Sequence, residues 1–277
     1  PYPIIYLHGG PGGFITDRNI ATLSPLAANG FDVYLYDQIG SGHSSHLKNI
    51  SDYTALRHEN DLEEIVKQIG KEKVILIAQS WGAILAAMFV ADHPEQVAKI
   101  IFTSPGPIQP VISNLSQTKI PDSIQLRLPM STNAEANRKL MNLRMRCAIY
   151  FASAFGIKLV PEKEADDFET YLTNGTNKSV VCDTANALKA EGGGGFYVSI
   201  ITVNSFGEMK NPRPALKNSA IPILVMKGEC DNQKWGATNE YLQLFPNRVF
   251  KLIPNAGHAI AIEQPEIYLK TIEEFLN

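Results

Sequence analysis

Short runs of consecutive apolar residues alternate with amphipathic stretches along the first hundred residues of the chain. Consecutive apolar residues rich in β-branched types are typical of buried strands, whereas apolar positions three and four residues apart predict helices. The predicted strands are residues 3–7, 33–36, 74–77 and 99–103, and the predicted helices between them are residues 20–29, 53–70 and 84–90. This alternation predicts an α/β fold with a mostly parallel sheet and helices on both faces.

The alternation stops after residue 104, and no strand pattern of comparable quality returns before residue 221. The intervening segment carries three predicted helices, from Thr132 toward Phe151, from Pro161 toward Leu172, and from Val180 to Ala190. Strands resume at 221–226 and 249–253, and a helix at 265–276 closes the pattern. We therefore expect a core domain of residues 1–104 and 219–277, with a helical lid (cap) subdomain of residues 105–218 over the active edge of the sheet. The alternative is that residues 105–218 have only a structural role.

Composition restricts the expected partners. The chain has 277 residues and 44% hydrophobic content, which is enough for one large core with an insertion. A formal charge of −3 without a clustered basic stripe argues against nucleic acid or an anionic membrane as a partner. The longest apolar runs are far shorter than the ~18 residues of a membrane span. A small molecule or short peptide is the expected partner, and the oligomeric state is left open.

Three cysteines, Cys147, Cys182 and Cys230, cannot all pair with one another. None of them lies in a C-x-x-C metal-binding spacing. Free thiols are therefore expected, and a bond between Cys147 and Cys182 is the alternative.

One serine lies where the strand 74–77 reverses into the helix 84–90. The segment Ala78-Gln79-Ser80-Trp81-Gly82 matches the pattern G-x-S-x-G, with alanine in the first glycine position. Because a strand that turns sharply into a helix brings two backbones together, the residues two before and two after the serine must be small. The pattern predicts a nucleophile elbow that holds Ser80 in a strained backbone conformation. A helix N-cap is the alternative role for this serine.

An acid and a histidine follow the last two predicted strands, giving the chain order Ser80, Asp231, His258. A serine hydroxyl is a poor nucleophile until an imidazole takes its proton, and that imidazole needs a carboxylate on its other nitrogen. The order predicts a catalytic triad with Ser80 as nucleophile, His258 as base and Asp231 as the orienting acid. The rival residues are Glu229 for the acid and His8 and His93 for the base.

Glycine-rich loops follow the first two strands. Residues 8–13, His-Gly-Gly-Pro-Gly-Gly, can bring backbone N–H groups close to a ligand, although a flexible turn is the alternative. A tetrahedral oxyanion needs two donors, and we expect the N–H groups of Gly10 and Trp81 to supply them. In the second loop, Asp37 is expected to order the backbone rather than to take part in catalysis.

Residues 8–13 match H-G-G-P-G, residues 36–44 match Y-D-Q-x-G-x-G-x-S, and residues 79–82 match Q-S-W-G. With these motifs the chain resembles the proline iminopeptidase branch of the α/β-hydrolase superfamily. The segments Gly228–Asp231 and Gly257–His258 fall where the acid and base loops of that family belong. The resemblance is specific over both sheet segments and only architectural over residues 105–218.

The resemblance implies an α/β-hydrolase fold and a serine peptidase that uses no metal or cofactor. Such a peptidase removes an N-terminal residue, often proline, while lid carboxylates hold the free amine of the substrate. Glu191 is the candidate amine anchor here, and Gly9 is a further candidate substrate contact; a solvated Glu191 is the alternative. The run Gly192–Gly195 is interpreted as a hinge or a close backbone approach. A carboxylesterase with the same triad and a non-catalytic ligand-binding relative are the alternative functions.

This sequence departs from the family pattern at several places. Ala78 and Ala83 replace common glycines, which should be tolerated. Some members have an acid directly after the catalytic aspartate, where this chain has Asn232. The family also has two strands before the oxyanion loop, whereas residues 3–7 predict one. Either an N-terminal segment lies outside this sequence or the sheet is shorter. A cytoplasmic location is favoured, with a removed signal segment left open.

Overall fold

The computed structural model describes residues 1–112, 114–140 and 142–277, with the backbone alone at Glu135. Within them, six strands form one sheet in the order β2-β1-β3-β4-β5-β6, and every neighbouring pair is parallel. The strands are β1 (Ile4–Leu7), β2 (Val33–Leu35), β3 (Val74–Gln79), β4 (Val97–Thr103), β5 (Ile223–Gly228) and β6 (Arg248–Ile253). The predicted parallel sheet is confirmed.

Helices cover both faces of this sheet. The α-helices of the described residues are α1 (Asp17–Leu23), α2 (Pro25–Ala28), α3 (Ala55–Ile69), α4 (Trp81–Asp92), α5 (Ala134–Leu140), α6 (Leu143–Phe155), α7 (Glu162–Thr176), α8 (Phe196–Asn204), α9 (Arg213–Lys217), α10 (Trp235–Leu244), α11 (Ile260–Glu263) and α12 (Pro265–Leu276). Successive strand residues such as Leu76 and Ile77 point to opposite faces of the sheet and belong to different apolar clusters. One cluster includes side chains of α3, α4 and α10, and the other includes side chains of α1, α11 and α12.

Most core helices lie where the sequence pattern predicts them. Helix α3 begins after Thr54, whose side chain accepts the N–H of Arg57, and ends at Gly70 in the left-handed conformation. The predicted helix 20–29 is instead two short helices, because Pro25 starts a new one at its first position. Among the described residues, no helix combines the length and apolar character needed to cross a membrane.

No strand forms between β4 and β5 in the part of the chain that the structure describes. Helices α5 to α9 fill this helical segment (residues 105–218), and a third apolar cluster lies within it and against residues 50 and 53. The helix predicted from Thr132 toward Phe151 is two helices, α5 and α6, and Asn142 caps the second. The sequence Thr132-Asn133-Ala134-Glu135 predicts a capping box at the start of this predicted helix, and the Glu135 side chain lies outside the described residues.

The helix predicted over residues 180–190 is wrong. This stretch contains a single 3-10 turn, Thr184–Asn186, which is capped by the side chain of Asp183. The carboxylate of Glu263 accepts the backbone N–H groups of Cys182 and Asp183 at 2.7 and 3.1 Å. A distant side chain therefore satisfies backbone donors that a helix would have used internally.

Cys182 and Cys230 form a disulfide with their Cα atoms 5.1 Å apart, and Cys147 is free. The expectation of free thiols is therefore wrong for two of the three cysteines, and so is the alternative pairing of Cys147 with Cys182. The bonded pair is separated by 48 residues. It joins the helical segment to the loop between β5 and α10, which carries Asp231.

Candidate active site

Ser80 lies at the sharp turn between β3 and α4. Its φ of 54° and ψ of −113° give it a positive φ that residues other than glycine rarely adopt. The turn needs glycine at position 82, because a Cβ there would overlap the backbone carbonyl of Leu7. Ser80 occupies the N-cap position of α4, but its side chain makes no capping hydrogen bond, so the alternative role of its hydroxyl as a helix cap is wrong. The strained elbow is present as expected.

Asp231 and His258 lie together at the ends of neighbouring strands β5 and β6. His258 Nδ1 is 2.8 Å from Asp231 Oδ1, and both residues are buried. Asp231 Oδ1 also accepts the backbone N–H of Gln233 at 3.0 Å. Because the carboxylate accepts from Nδ1–H, the Nε2 atom of the neutral ring is left to accept a proton.

The charge state of Asp231 follows from its surroundings. Burial opposes ionisation, but the charge and hydrogen bond of His258, together with Lys227, lower the pKa of Asp231 to about 2. At neutral pH it is therefore a carboxylate. An ionised carboxylate at this position can fix the imidazole tautomer and stabilise the imidazolium that forms during catalysis.

The Ser80 hydroxyl has no hydrogen-bond partner among the described residues, so no hydrogen bond joins it to His258. Hydrogen bonds between catalytic groups are often long without substrate and shorten when it binds. The contact between the serine and the histidine therefore stays a prediction.

The rival acid and bases have other partners. Arg127 binds both carboxylate oxygens of Glu229 at 2.8 Å. His8 is buried, and its Nε2 accepts the backbone N–H of Gln38 while its Nδ1 donates to the carbonyl of Gly9. Burial lowers the pKa of His8, in agreement with a neutral ring. His93 ends helix α4.

The first glycine-rich loop lies beside Ser80. A Cβ added to Gly9 would lie 3.4 Å from the Ser80 Cβ, so the first loop passes directly along the predicted nucleophile. Gly10 has a φ of 136°, which favours glycine. Trp81 is the first residue of α4, where a backbone N–H has no partner within the helix. Gly10 and Trp81 remain the predicted oxyanion donors.

Side chains of the second loop hold these parts in place. Asp37 accepts the backbone N–H groups of Ile15 at 2.6 Å and His43 at 2.8 Å, which agrees with its expected role in ordering the loop. Gln38, which the sequence analysis did not single out, is buried. Its amide donates to the His8 carbonyl at 3.3 Å and accepts the Trp81 indole N–H at 2.8 Å.

The glycine run of the helical segment is a close backbone approach. The N–H of Gly195 donates to the carbonyl of Gly12 at 2.9 Å, and the N–H of Gly42 donates to the carbonyl of Gly193 at 2.8 Å. A Cβ on Gly12 would overlap the carbonyl of Gly195. The helical segment therefore lies with its backbone directly on both loops.

Glu169 of α7 lies at this contact and was missed by the sequence analysis. A Cβ on Gly194 would be 3.0 Å from Glu169 Cγ and 3.8 Å from the carbonyl of Gly12. No cationic side chain pairs with Glu169 among the described residues, and burial with the nearby charge of Asp166 raises its pKa to about 7. Helical spacing from the buried Ala165 and Leu172 places Glu169 on the inward face and could have identified it.

Glu191, the amine anchor expected from the resemblance, is exposed just before the glycine run. Its role stays a prediction. In the described part of the chain, His, Cys, Asp and Glu side chains form no group of three or more that could hold a metal ion. The predicted site residues therefore comprise a serine in a strained conformation at the end of β3 and a buried acid–imidazole pair at the ends of β5 and β6.

Comparison with known proteins identifies the family. A family model described as alpha/beta hydrolase fold matches residues 2–265. The chain belongs to this family. It is 28% identical over 281 residues to a proline iminopeptidase from Heyndrickxia coagulans, which covers 99% of this chain and 90% of that protein. It is also 25% identical over 244 residues to a putative 2-succinyl-6-hydroxy-2,4-cyclohexadiene-1-carboxylate synthase from Bacillus subtilis (strain 168), over 87% of this chain and 79% of that protein.

Several solved structures have a fold similar to that of this chain. An esterase from Exiguobacterium antarcticum superposes with a TM-score of 0.68 at 13% identity, over 100% of this chain and 92% of that one. The esterase RhEst1 from Rhodococcus sp. ECU1013 has a TM-score of 0.67 at 18% identity, over 99% of this chain and 90% of that one. At such identities the likeness shows the fold alone. The sequence relatives support the resemblance to the proline iminopeptidase branch.

Proposed function

We propose that this alpha/beta hydrolase removes the N-terminal residue of a peptide or amino-acid amide through a serine acyl-enzyme. The observation that carries the hydrolytic part is the buried Asp231–His258 hydrogen bond, at the same sheet edge as the strained Ser80. The carboxylate of Asp231 holds the imidazole with Nε2 unoccupied, which is the arrangement a general base requires.

In this mechanism, Ser80 Oγ attacks the carbonyl carbon of the first residue while His258 takes the hydroxyl proton. The carbonyl oxygen becomes an oxyanion, and the N–H groups of Gly10 and Trp81 donate to it. Each such donor contributes about 3–4 kcal/mol in the transition state. His258 then gives the proton to the departing amine, and water hydrolyses the acyl-enzyme with His258 again acting as base.

The proposed specificity for a free amine is supported by Glu169. Glu169 lies next to Gly194, which approaches Gly12 of the loop that lines Ser80, and its carboxyl group has no cationic partner within the described residues. An N-terminal ammonium would supply the missing positive charge, and binding it would favour the ionised carboxylate. Glu191 remains the second candidate for this contact.

The helical segment is proposed to act as the lid of the core formed by residues 1–104 and 219–277. Its backbone hydrogen bonds to Gly12 and Gly42 hold it against both glycine-rich loops. A helical segment held in this position would limit how many substrate residues fit on the amino side of the scissile bond and would exclude water.

A carboxylesterase with the same triad is the second candidate. The raised pKa of Glu169, about 7, leaves much of this side chain uncharged at neutral pH. An uncharged side chain tolerates an acyl group that carries no ammonium. The triad machinery itself does not distinguish an ester from an amide.

Hydrolysis of proline- and alanine-naphthylamides should be compared with their N-blocked forms and with short acyl esters, in the wild type and in Ser80→Ala. We expect the wild type to cleave amides that have a free amine, and Ser80→Ala to be inactive. Cleavage of N-blocked esters alone would contradict the peptidase proposal and favour the esterase. No serine-dependent hydrolysis at all would favour a ligand-binding relative.

A further inference from the structure

One lysine is buried inside the central sheet. Lys227 lies in β5, where all six residues are buried, and its side chain is 0% exposed. Lysine is almost never fully buried unless it is paired, because removing an ammonium from water is costly. The sequence shows this residue as a cation at the end of an apolar run, four positions before Asp231.

The partner of this buried lysine is the predicted catalytic acid. Lys227 Nζ lies 2.9 Å from Asp231 Oδ2 and 2.8 Å from the carbonyl of Gln233. The other carboxylate oxygen, Oδ1, accepts from His258 Nδ1 at 2.8 Å and from the N–H of Gln233. Each oxygen of Asp231 therefore has its own donors, and the carboxylate side chain has no exposed surface.

We propose that Lys227 is a positioning residue that fixes the Asp231 carboxylate against His258 and, through its charge, sets the pH range in which His258 works as a base. The inference rests on the proposed serine hydrolase function. It assigns a role to a residue outside the triad and outside the oxyanion loop.

The proposed positioning of Asp231 by Lys227 follows from hydrogen-bond geometry. A carboxylate held at one oxygen can rotate about its Cβ–Cγ bond, whereas donors on both oxygens fix its plane. Without Lys227, Asp231 Oδ2 would be a buried acceptor with no partner, which is unfavourable. Anchoring Oδ2 therefore keeps Oδ1 directed at His258 Nδ1.

The proposed effect of Lys227 on the pH range follows from its positive charge, which lies next to the negative charge of the Asp231 carboxylate. Asp231 alone would favour the imidazolium form of His258, and the ammonium of Lys227 cancels part of that effect. Removing the charge of Lys227 should therefore move the acid limb of activity to higher pH.

Other charged groups near these loops are already engaged elsewhere. Glu263 of α11 accepts the N–H of Gly257 beside the histidine. Glu229 pairs with Arg127 of the helical segment. Among the described residues, neither carboxylate contacts Lys227 or Asp231, so Lys227 is the cation that acts directly on the Asp231 carboxylate.

The test compares Lys227→Met, Lys227→Gln and Lys227→Arg with Lys251→Met, a change at an exposed lysine of the neighbouring strand β6. The first readout is kcat/KM against pH for the substrate that the wild type cleaves. We expect the midpoint of the acid limb to rise by about one pH unit in Lys227→Met and Lys227→Gln. Lys227→Arg keeps the charge and should retain the wild-type midpoint, as should Lys251→Met.

A second readout does not depend on activity. In a Ser80→Ala background, the His258 ring can be titrated by NMR with and without Lys227→Gln, after thermal unfolding has shown that both proteins are folded. A midpoint that moves to higher pH supports the proposal even if no substrate is cleaved. Unchanged midpoints in Lys227→Gln, and in Lys227→Met if it folds, would overturn it and leave Lys227 a purely structural residue. Absence of Ser80-dependent hydrolysis in the wild type would instead contradict the proposed function.

Discussion

The side chain of Gln38 accepts the indole N–H of Trp81 at 2.8 Å and thereby joins the second glycine-rich loop to the first residue of the elbow helix. The same amide donates to the carbonyl of His8, at the start of the first loop. One buried side chain therefore holds together the two backbone segments that are expected to supply the oxyanion donors. Correct placement of such donors matters because displacements of about 1 Å cost a large part of catalysis.

Replacing Gln38 with leucine should lower kcat by about tenfold with little change in KM, because the loss affects the transition state more than substrate binding. The measurement is steady-state kinetics on the preferred substrate. Gln68→Leu, a change at an exposed position of α3, is the matched control and should leave both constants unchanged. Equal kinetics in the wild type and Gln38→Leu would show that Gln38 does not position the donors.

The two candidate amine anchors can be separated by kinetics. If Glu169 holds the substrate ammonium, Glu169→Gln should raise KM for free-amine substrates by about tenfold or more, as expected for loss of a charge-assisted hydrogen bond. KM for N-blocked esters should change little. The sequence-based prediction is that Glu191→Gln has this effect. A rise in KM confined to Glu191→Gln would assign the anchor to Glu191 and contradict the role proposed for Glu169.

The raised pKa of Glu169, about 7, predicts how substrate binding depends on pH. A carboxyl group with this pKa is protonated below pH 7 and ionised above it, and the ionised form binds an ammonium. KM for a free-amine substrate should therefore fall as pH rises from 6 to about 7.5. Glu169→Gln should remove this dependence, and a KM that is equally pH-dependent in the variant would assign the titration to another group.

The disulfide predicts a stability effect. Replacing Cys182 and Cys230 with alanine should lower the free energy of unfolding by about 2–4 kcal/mol, because an open chain gains conformational freedom when it unfolds. Denaturant unfolding measures this change. Cys147→Ala is the control: because Cys147 is free, this change breaks no disulfide and should not cause the same loss of stability. Equal stability of the wild type and the double variant under oxidising conditions would contradict the contribution of this bond.

Local patterns were sufficient to predict the sheet and the loops that carry the site. The elbow at Ser80 is determined by small residues within two positions of the serine, and Asp231 and His258 each follow a recognisable strand. These features depend on near neighbours in sequence, so spacing and residue type reveal them.

Features that depend on distant partners were missed. The bond between Cys182 and Cys230 and the contacts of Glu263 with residues 182 and 183 replace the helix expected over 180–190. Helical spacing puts Glu169 on the inward face of α7, but it became a site candidate only when the structure showed Gly194 next to both Glu169 and Gly12. In each case the contact partner lies far along the chain, so periodicity does not reveal the pairing itself.

The central claim is that Ser80 is a nucleophile activated by His258 and Asp231. Its most direct test is labelling with a fluorophosphonate, followed by mass spectrometry of the modified peptide. We predict stoichiometric modification of Ser80 in the wild type, none at this site in Ser80→Ala, and labelling slowed by at least about 100-fold in His258→Ala. Failure to label Ser80 in folded wild-type protein, or equal rates in the wild type and His258→Ala, would contradict the account.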